Sequence, residues 1–131
     1  MYSLMYPLYA FHSATAMYEC KLINNIYETE YIYKAIIVCN DPYRIFSYIT
    51  ILSNMLYPIG VLTYQNFQKT ISDFYKGKLR LLVISDVMFD IITTQYSKEF
   101  EAVNVIFTTD ESNLEQTSVI LQNSKIFSLS K

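Results

Sequence analysis

Three short apolar runs constrain this chain more than any other feature: Lys34 to Cys39 (KAIIVC), Leu79 to Ser85 (LRLLVIS) and Ala102 to Phe107 (AVNVIF). Runs of this length, rich in β-branched residues, are the pattern of strands covered on both faces. The stretches between them carry helical spacing instead. Asp41-Pro42 starts a helix well, because an Asp carboxylate accepts orphan amide protons and Pro lacks an amide proton in the first turn. Ile45, Ile49, Leu52 and Leu56 follow on one face, and Tyr57-Pro58 ends the pattern. Ile59 to Tyr64 reads as a short strand. Asn66 then caps a helix bearing Phe67, Ile71 and Phe74, and Lys76-Gly77 supplies a basic last turn and a glycine that tolerates left-handed backbone angles. Met88, Ile91, Ile92 and Tyr96 predict a helix after Ser85, weakened by Thr93-Thr94.

At the two ends, Tyr2 to Phe11 reads as a first strand, and a helix from Ser13 carries Met17, Cys20, Ile23 or Asn24, and Tyr27 on one face. Ser112-Asn113-Leu114-Glu115 has capping-box spacing ahead of a helix to Gln122, and Lys125 to Leu129 closes as a strand. Strands alternating with helices imply an α/β domain with a mainly parallel sheet and helices on both faces. In such sheets ligands sit at the carboxyl ends of strands, which is where Asn40 and Ser85-Asp86 fall.

The chain of 131 residues is expected to form one domain, 1–131, with 52% hydrophobic and 17% charged residues, too apolar for disorder. Its formal net charge is −2 and its lysines are scattered, which excludes a strong nucleic-acid binder and leaves room only for local, weak RNA contact. Thirteen Tyr and eight Phe accompany no Trp, a bias of the kind AT-rich coding produces, and are given no functional weight. Cys20 and Cys39 lack metal or redox spacing and read as reduced, buried thiols of an intracellular protein, cytoplasmic or nuclear. His12 is the only histidine, so neither a metal site nor Ser-His-Asp chemistry is expected. Asp110, Glu111 and Glu115 read as helix-capping, solvated carboxylates. No run reaches the length of a membrane span. The apolar start ends in Ala14-Thr15-Ala16, like a signal-peptidase site, but no Lys or Arg precedes Lys21, and a leader is not expected.

The order of these pieces resembles the second RecA-like domain of a DEAD-box RNA helicase, of the initiation-factor type. Ile36-Ile37-Val38-Cys39-Asn40 is similar to the family's apolar strand ending in Cys-Asn-Thr. Phe74-Tyr75-Lys76-Gly77, Arg80-Leu81-Leu82-Val83 and Ser85-Asp86-Val87 resemble its Phe-x-x-Gly, Arg-Ile-Leu-Val and Thr-Asp segments. Val103-Asn104-Val105-Ile106-Phe107 with Asp110 resembles the strand after them. The resemblance spans nearly the whole chain and implies a three-layer RecA-like fold.

The family's working residues are largely replaced. Where it has Ala-Arg-Gly-Ile-Asp after Thr-Asp, this sequence has Phe89-Asp90-Ile91-Ile92-Thr93. The family's His-Arg-x-Gly-Arg would fall near Val119 to Asn123, which reads VILQN, and no Arg follows Arg80. Arginine fingers stabilise charge on a transferring phosphoryl group and are worth orders of magnitude in rate. With only Gly60 and Gly77, no phosphate-cradling P-loop can be written. The resemblance therefore implies a degenerate domain that is not an enzyme and holds no cofactor. It would serve as a docking or scaffold module with a protein partner in a larger, ribonucleoprotein assembly, with ribosomal particles and helicases as the candidate partners. The alternative is a residual RNA-binding or helicase-regulating subunit that pairs with a separate nucleotide-binding domain. Its contacts would be Asn40, Arg44, Lys76, Lys78, Arg80 and Ser85.

Overall fold

The structure, a computed structural model, describes residues 14–55, 57–109 and 124–129. The expected strand over 2–11, His12, and the expected helix over 112–122 with its carboxylates lie outside the described residues. Among the described residues five strands form one sheet: β1 Lys34–Val38, β2 Ile59–Val61, β3 Leu81–Ile84, β4 Val103–Thr108 and β5 Lys125–Ser128. Their spatial order is β2-β3-β1-β4-β5, and every pairing is parallel. The central strand β1 aligns Ala35 with Leu81 on one side and Val105 on the other, with a register shift at Lys34/Ala35 on the β4 side.

Among the described residues four helices cover the sheet: α1 Ala14–Thr29, α2 Pro42–Ser53, α3 Phe67–Tyr75 and α4 Asp86–Gln95. A 3-10 turn follows at Ser97–Phe100. Because side chains alternate across a strand, odd residues of β1 (Ala35, Ile37) meet Cys20 and Ile23 of α1 and Tyr48 and Leu52 of α2. The even ones (Ile36, Val38) meet Ile71 and Phe74 of α3 and Met88 and Ile92 of α4. The α/β three-layer arrangement expected from the sequence is the one observed.

Two local expectations are corrected. The strand at Ile59 ends at Val61 rather than Tyr64, and Asn66 occupies the N-cap of α3 without capping it. Its amide braces the preceding loop instead: Oδ1 accepts from the Thr63 amide at 2.8 Å and Nδ2 donates to the Val61 carbonyl at 3.1 Å. Asn side chains form such local loops readily, in competition with capping. At the other end of α3, Gly77 adopts a φ of +86°, the left-handed conformation that a side chain resists. The edge strand β2 approaches closely enough that a Cβ on Gly60 would meet Leu79 Cδ1 at 2.6 Å.

Candidate functional site

In an all-parallel sheet, residues that follow strands gather at one end of the molecule and residues that precede them gather at the other. Asn40 follows β1 and Ser85 follows β3, and the structure brings them together at the carboxyl ends of the strands. Ser85 is the N-cap of α4, its Oγ accepting from the Met88 amide at 3.2 Å. Asn40 Oδ1 accepts from the Asp86 amide at 3.0 Å. Two orphan amides of the helix are thereby satisfied from within the chain. At the neighbouring helix start, Asp41 Oδ1 accepts from the Tyr43 amide at 3.0 Å. An open helix N-terminus attracts phosphate. These two carry the chain's own carboxylates, Asp41 and Asp86, with Asp90 one turn further along α4.

Further along α4, Phe89-Asp90-Ile91-Ile92-Thr93 forms regular helix. Phe89 and Ile92 are buried in the core, and the Thr93 hydroxyl donates to the Phe89 carbonyl at 2.8 Å.

Arg44, on the first turn of α2, faces α1. Its Nε and Nη2 donate to the two carboxylate oxygens of Glu19 at 3.0 and 2.8 Å. The Glu19 side chain is 0% exposed and the Arg44 side chain 26%. Burial opposes the guanidinium charge, but the hydrogen bonds and charge of Glu19 outweigh it and hold Arg44 above its ordinary pKa. Beneath the pair lies Tyr48, fully buried, whose hydroxyl makes no hydrogen bond among the described residues. Burial first, then the nearby Glu19 carboxylate, pushes that hydroxyl well above the tyrosine range. Cys20 and Cys39 are both buried free thiols, as the sequence predicts, and burial lifts Cys20 to about 12.

The remaining candidates, Lys76, Lys78 and Arg80, precede β3 and therefore stand at the opposite end of the sheet. Arg80 is a structural clamp: Nε donates to the Tyr33 carbonyl and Nη2 to the Ile32 carbonyl, each at 3.1 Å. Its own carbonyl receives the Ala35 amide at 3.0 Å and the Tyr27 hydroxyl at 3.2 Å. Lys76 and Lys78 are exposed on either side of Gly77. Both act on Asp73, whose carboxyl is held below its usual range first by its hydrogen bond to Lys69 and then by the surrounding lysines.

Sequence reading missed two residues here. Glu19 reads as an ordinary solvated helix residue, and nothing local announces Arg44 as its partner. Lys34 opens an apolar run, yet its Nζ is buried against α3, donating to the Tyr75 carbonyl at 2.9 Å and lying 5.3 Å from the Phe74 ring centroid. Burial lowers its pKa. The split of the six candidates was legible, since a residue before a parallel strand cannot share an end with one after it.

No family model matches the sequence, and no curated protein does. Among solved structures, the fold matches the C-terminal domain of S. cerevisiae Dbp5, a point variant bound to a Gle1 variant and IP6. The match covers 86% of this chain and 83% of that one, with a TM-score of 0.58 and 10% sequence identity. The fold is RecA-like. At this identity the likeness is one of fold, so the chemistry of this RecA-like domain has to be argued from its own side chains.

Proposed function

We propose that the chain is a non-catalytic, degenerate member of the initiation-factor type of helicase C-terminal domain, acting as a protein-docking module inside a ribonucleoprotein assembly. One observation carries the reading. The edge where a RecA-like domain would meet phosphate is closed by the chain's own groups: Asn40, Asp41 and Ser85 hold helix amides, and Glu19 holds Arg44. The replacement of the family's Arg by Asp90 and its Gly by Ile91 supports the same conclusion, since an acid repels phosphate and a β-branched residue prevents close backbone approach. That a domain of this fold docks a protein is illustrated by Dbp5 bound to Gle1. Placement inside the cell, cytoplasmic or nuclear, belongs to the same proposal and is supported by the two free buried thiols.

The alternative of a residual RNA-binding subunit is less well supported. Four of its six contacts, Asn40, Arg44, Arg80 and Ser85, are already committed to intramolecular hydrogen bonds, and the remaining two stand at the far end of the sheet. The deciding experiment is ATP turnover by the purified chain, alone and mixed with RNA and a separate nucleotide-binding helicase domain. No turnover by the chain alone and no stimulation of the added domain are expected. Turnover by the chain alone overturns the reading. RNA binding that weakens steeply with salt would favour the alternative.

A further inference from the structure

Among the described residues β2 is an edge of the sheet, and an open edge is a template on which another chain can add a strand. The usual chemical defences are thin here: Ile59-Gly60-Val61 carries no charge, and Leu62 after it is apolar too. Along a strand, successive residues turn their backbone groups to opposite sides. Pro58 and Leu62 face β3, the Pro58 carbonyl accepting from the Leu81 amide at 3.2 Å and the Leu62 amide donating to the Val83 carbonyl at 3.0 Å. Ile59, Val61 and Thr63 therefore direct theirs outward, where no strand pairs with β2 among the described residues.

The Val61 carbonyl and the Thr63 amide are the acceptor and donor that one residue of an added parallel strand would engage. Both are already taken, and by a single side chain. Asn66 Nδ2 donates to the Val61 carbonyl at 3.1 Å, and its Oδ1 accepts from the Thr63 amide at 2.8 Å. A primary amide offers the same donor and acceptor as a peptide group, so Asn66 lies on the edge as one peptide unit with no strand behind it. Bracing the loop does not require both contacts. Thr63 Oγ1 accepts from the Asn66 amide at 3.3 Å, which with Oδ1 on the Thr63 amide already completes the reciprocal pair of a capping box. The bond from Nδ2 to the strand is additional to that motif. It leaves the Ile59 carbonyl and the Val61 amide as a lone outward pair instead of one of two in succession.

We infer that Asn66 is an edge plug: its side-chain amide mimics the peptide of a next strand and keeps a second copy of this chain from pairing with β2. The plug stands whether or not the domain is catalytic.

The test compares the full chain with Asn66→Ala, Asn66→Ser and Thr63→Ala by sedimentation velocity and residue-resolved hydrogen exchange. In the unsubstituted chain, the Thr63 amide should exchange at least tenfold more slowly than the outward amides of Ile59 and Val61. Asn66→Ala removes both contacts to the edge, and the short hydroxyl of Asn66→Ser cannot span the two backbone groups. Both variants are expected to self-associate as concentration rises. In the associated form the Ile59, Val61 and Thr63 amides should gain protection, while those of Gly60 and Leu62, on the β3 side, stay unchanged. Thr63→Ala loses the hydroxyl contact but keeps the plug, so it should remain monomeric like the unsubstituted chain. A drop of no more than a few degrees in melting temperature verifies that each variant is folded. Exchange of Thr63 as fast as that of Ile59 in the unsubstituted chain overturns the plug, as does a folded Asn66 variant that stays monomeric or associates without protecting the outward amides. Equal association of Thr63→Ala also overturns it, since loss of loop stability would then suffice.

Discussion

At the scale of single residues, the Glu19–Arg44 pair is the costliest place to substitute. Arg44→Leu leaves a fully buried carboxylate without a counter-charge, and destabilisation of about 3–5 kcal/mol is expected from urea unfolding. Glu19→Leu strands the partner that still reaches water, so its effect is the smaller of the two. Arg44→Lys should not rescue, because an ammonium cannot reproduce the two-pronged contact. A larger loss in Glu19→Leu than in Arg44→Leu would contradict this account of the pair. Buried titratable groups also set an alkaline limit. Burial lifts Cys20 from 9.0 to about 12 and holds Tyr27 and Tyr48 above their ordinary 10.0. Below pH 9 both folded and unfolded chains keep these protons. Above it the unfolded chain releases protons that the folded chain retains, so stability falls by up to ~1.4 kcal/mol per pH unit for each group passed. Lys34 runs the other way: its lowered pKa makes folding gain as pH approaches 10.5. Unfolding measured from pH 7 to 11 should show a plateau, then a decline beginning near pH 9 that Cys20→Ala delays.

At the scale of elements, α4 depends on how it begins. Ser85→Ala is expected to remove about 1 kcal/mol, a drop of a few degrees in melting temperature, and Ser85→Asp to restore it, because a carboxylate caps as well as a hydroxyl. Failure of Asp to restore would mean that Ser85 acts through something other than the Met88 amide. The sequence shows this cap because Ser85 directly follows an apolar run, just as Asp41-Pro42 shows the start of α2. It also shows β1, whose five residues are buried without interruption. It understates α4, since Thr93 and Thr94 count against a helix until their hydroxyls are seen donating to the Phe89 and Asp90 carbonyls, each at 2.8 Å. It hides Glu19 and the Arg80 clamp altogether. Their partners lie 25 and 47–48 residues away, and only the packed sheet brings them within reach.

At the scale of the whole molecule, the sheet should unfold from its margins. β1 is bonded to β3 and β4 along its length, whereas β2 is three residues long and paired only with β3 among the described residues. Hydrogen exchange should therefore protect the amides of Ile36 to Val38 at least tenfold more than those of β2, and equal rates in the two strands would contradict this ordering. The parallel run of all five strands has a separate consequence for the history of such a chain. Groups at the strand tips and groups at the strand starts are separated by the length of the sheet, so selection can act on one set with little disturbance of the other. The two ends of such a domain can therefore diverge independently, while the β-layer between them stays the same.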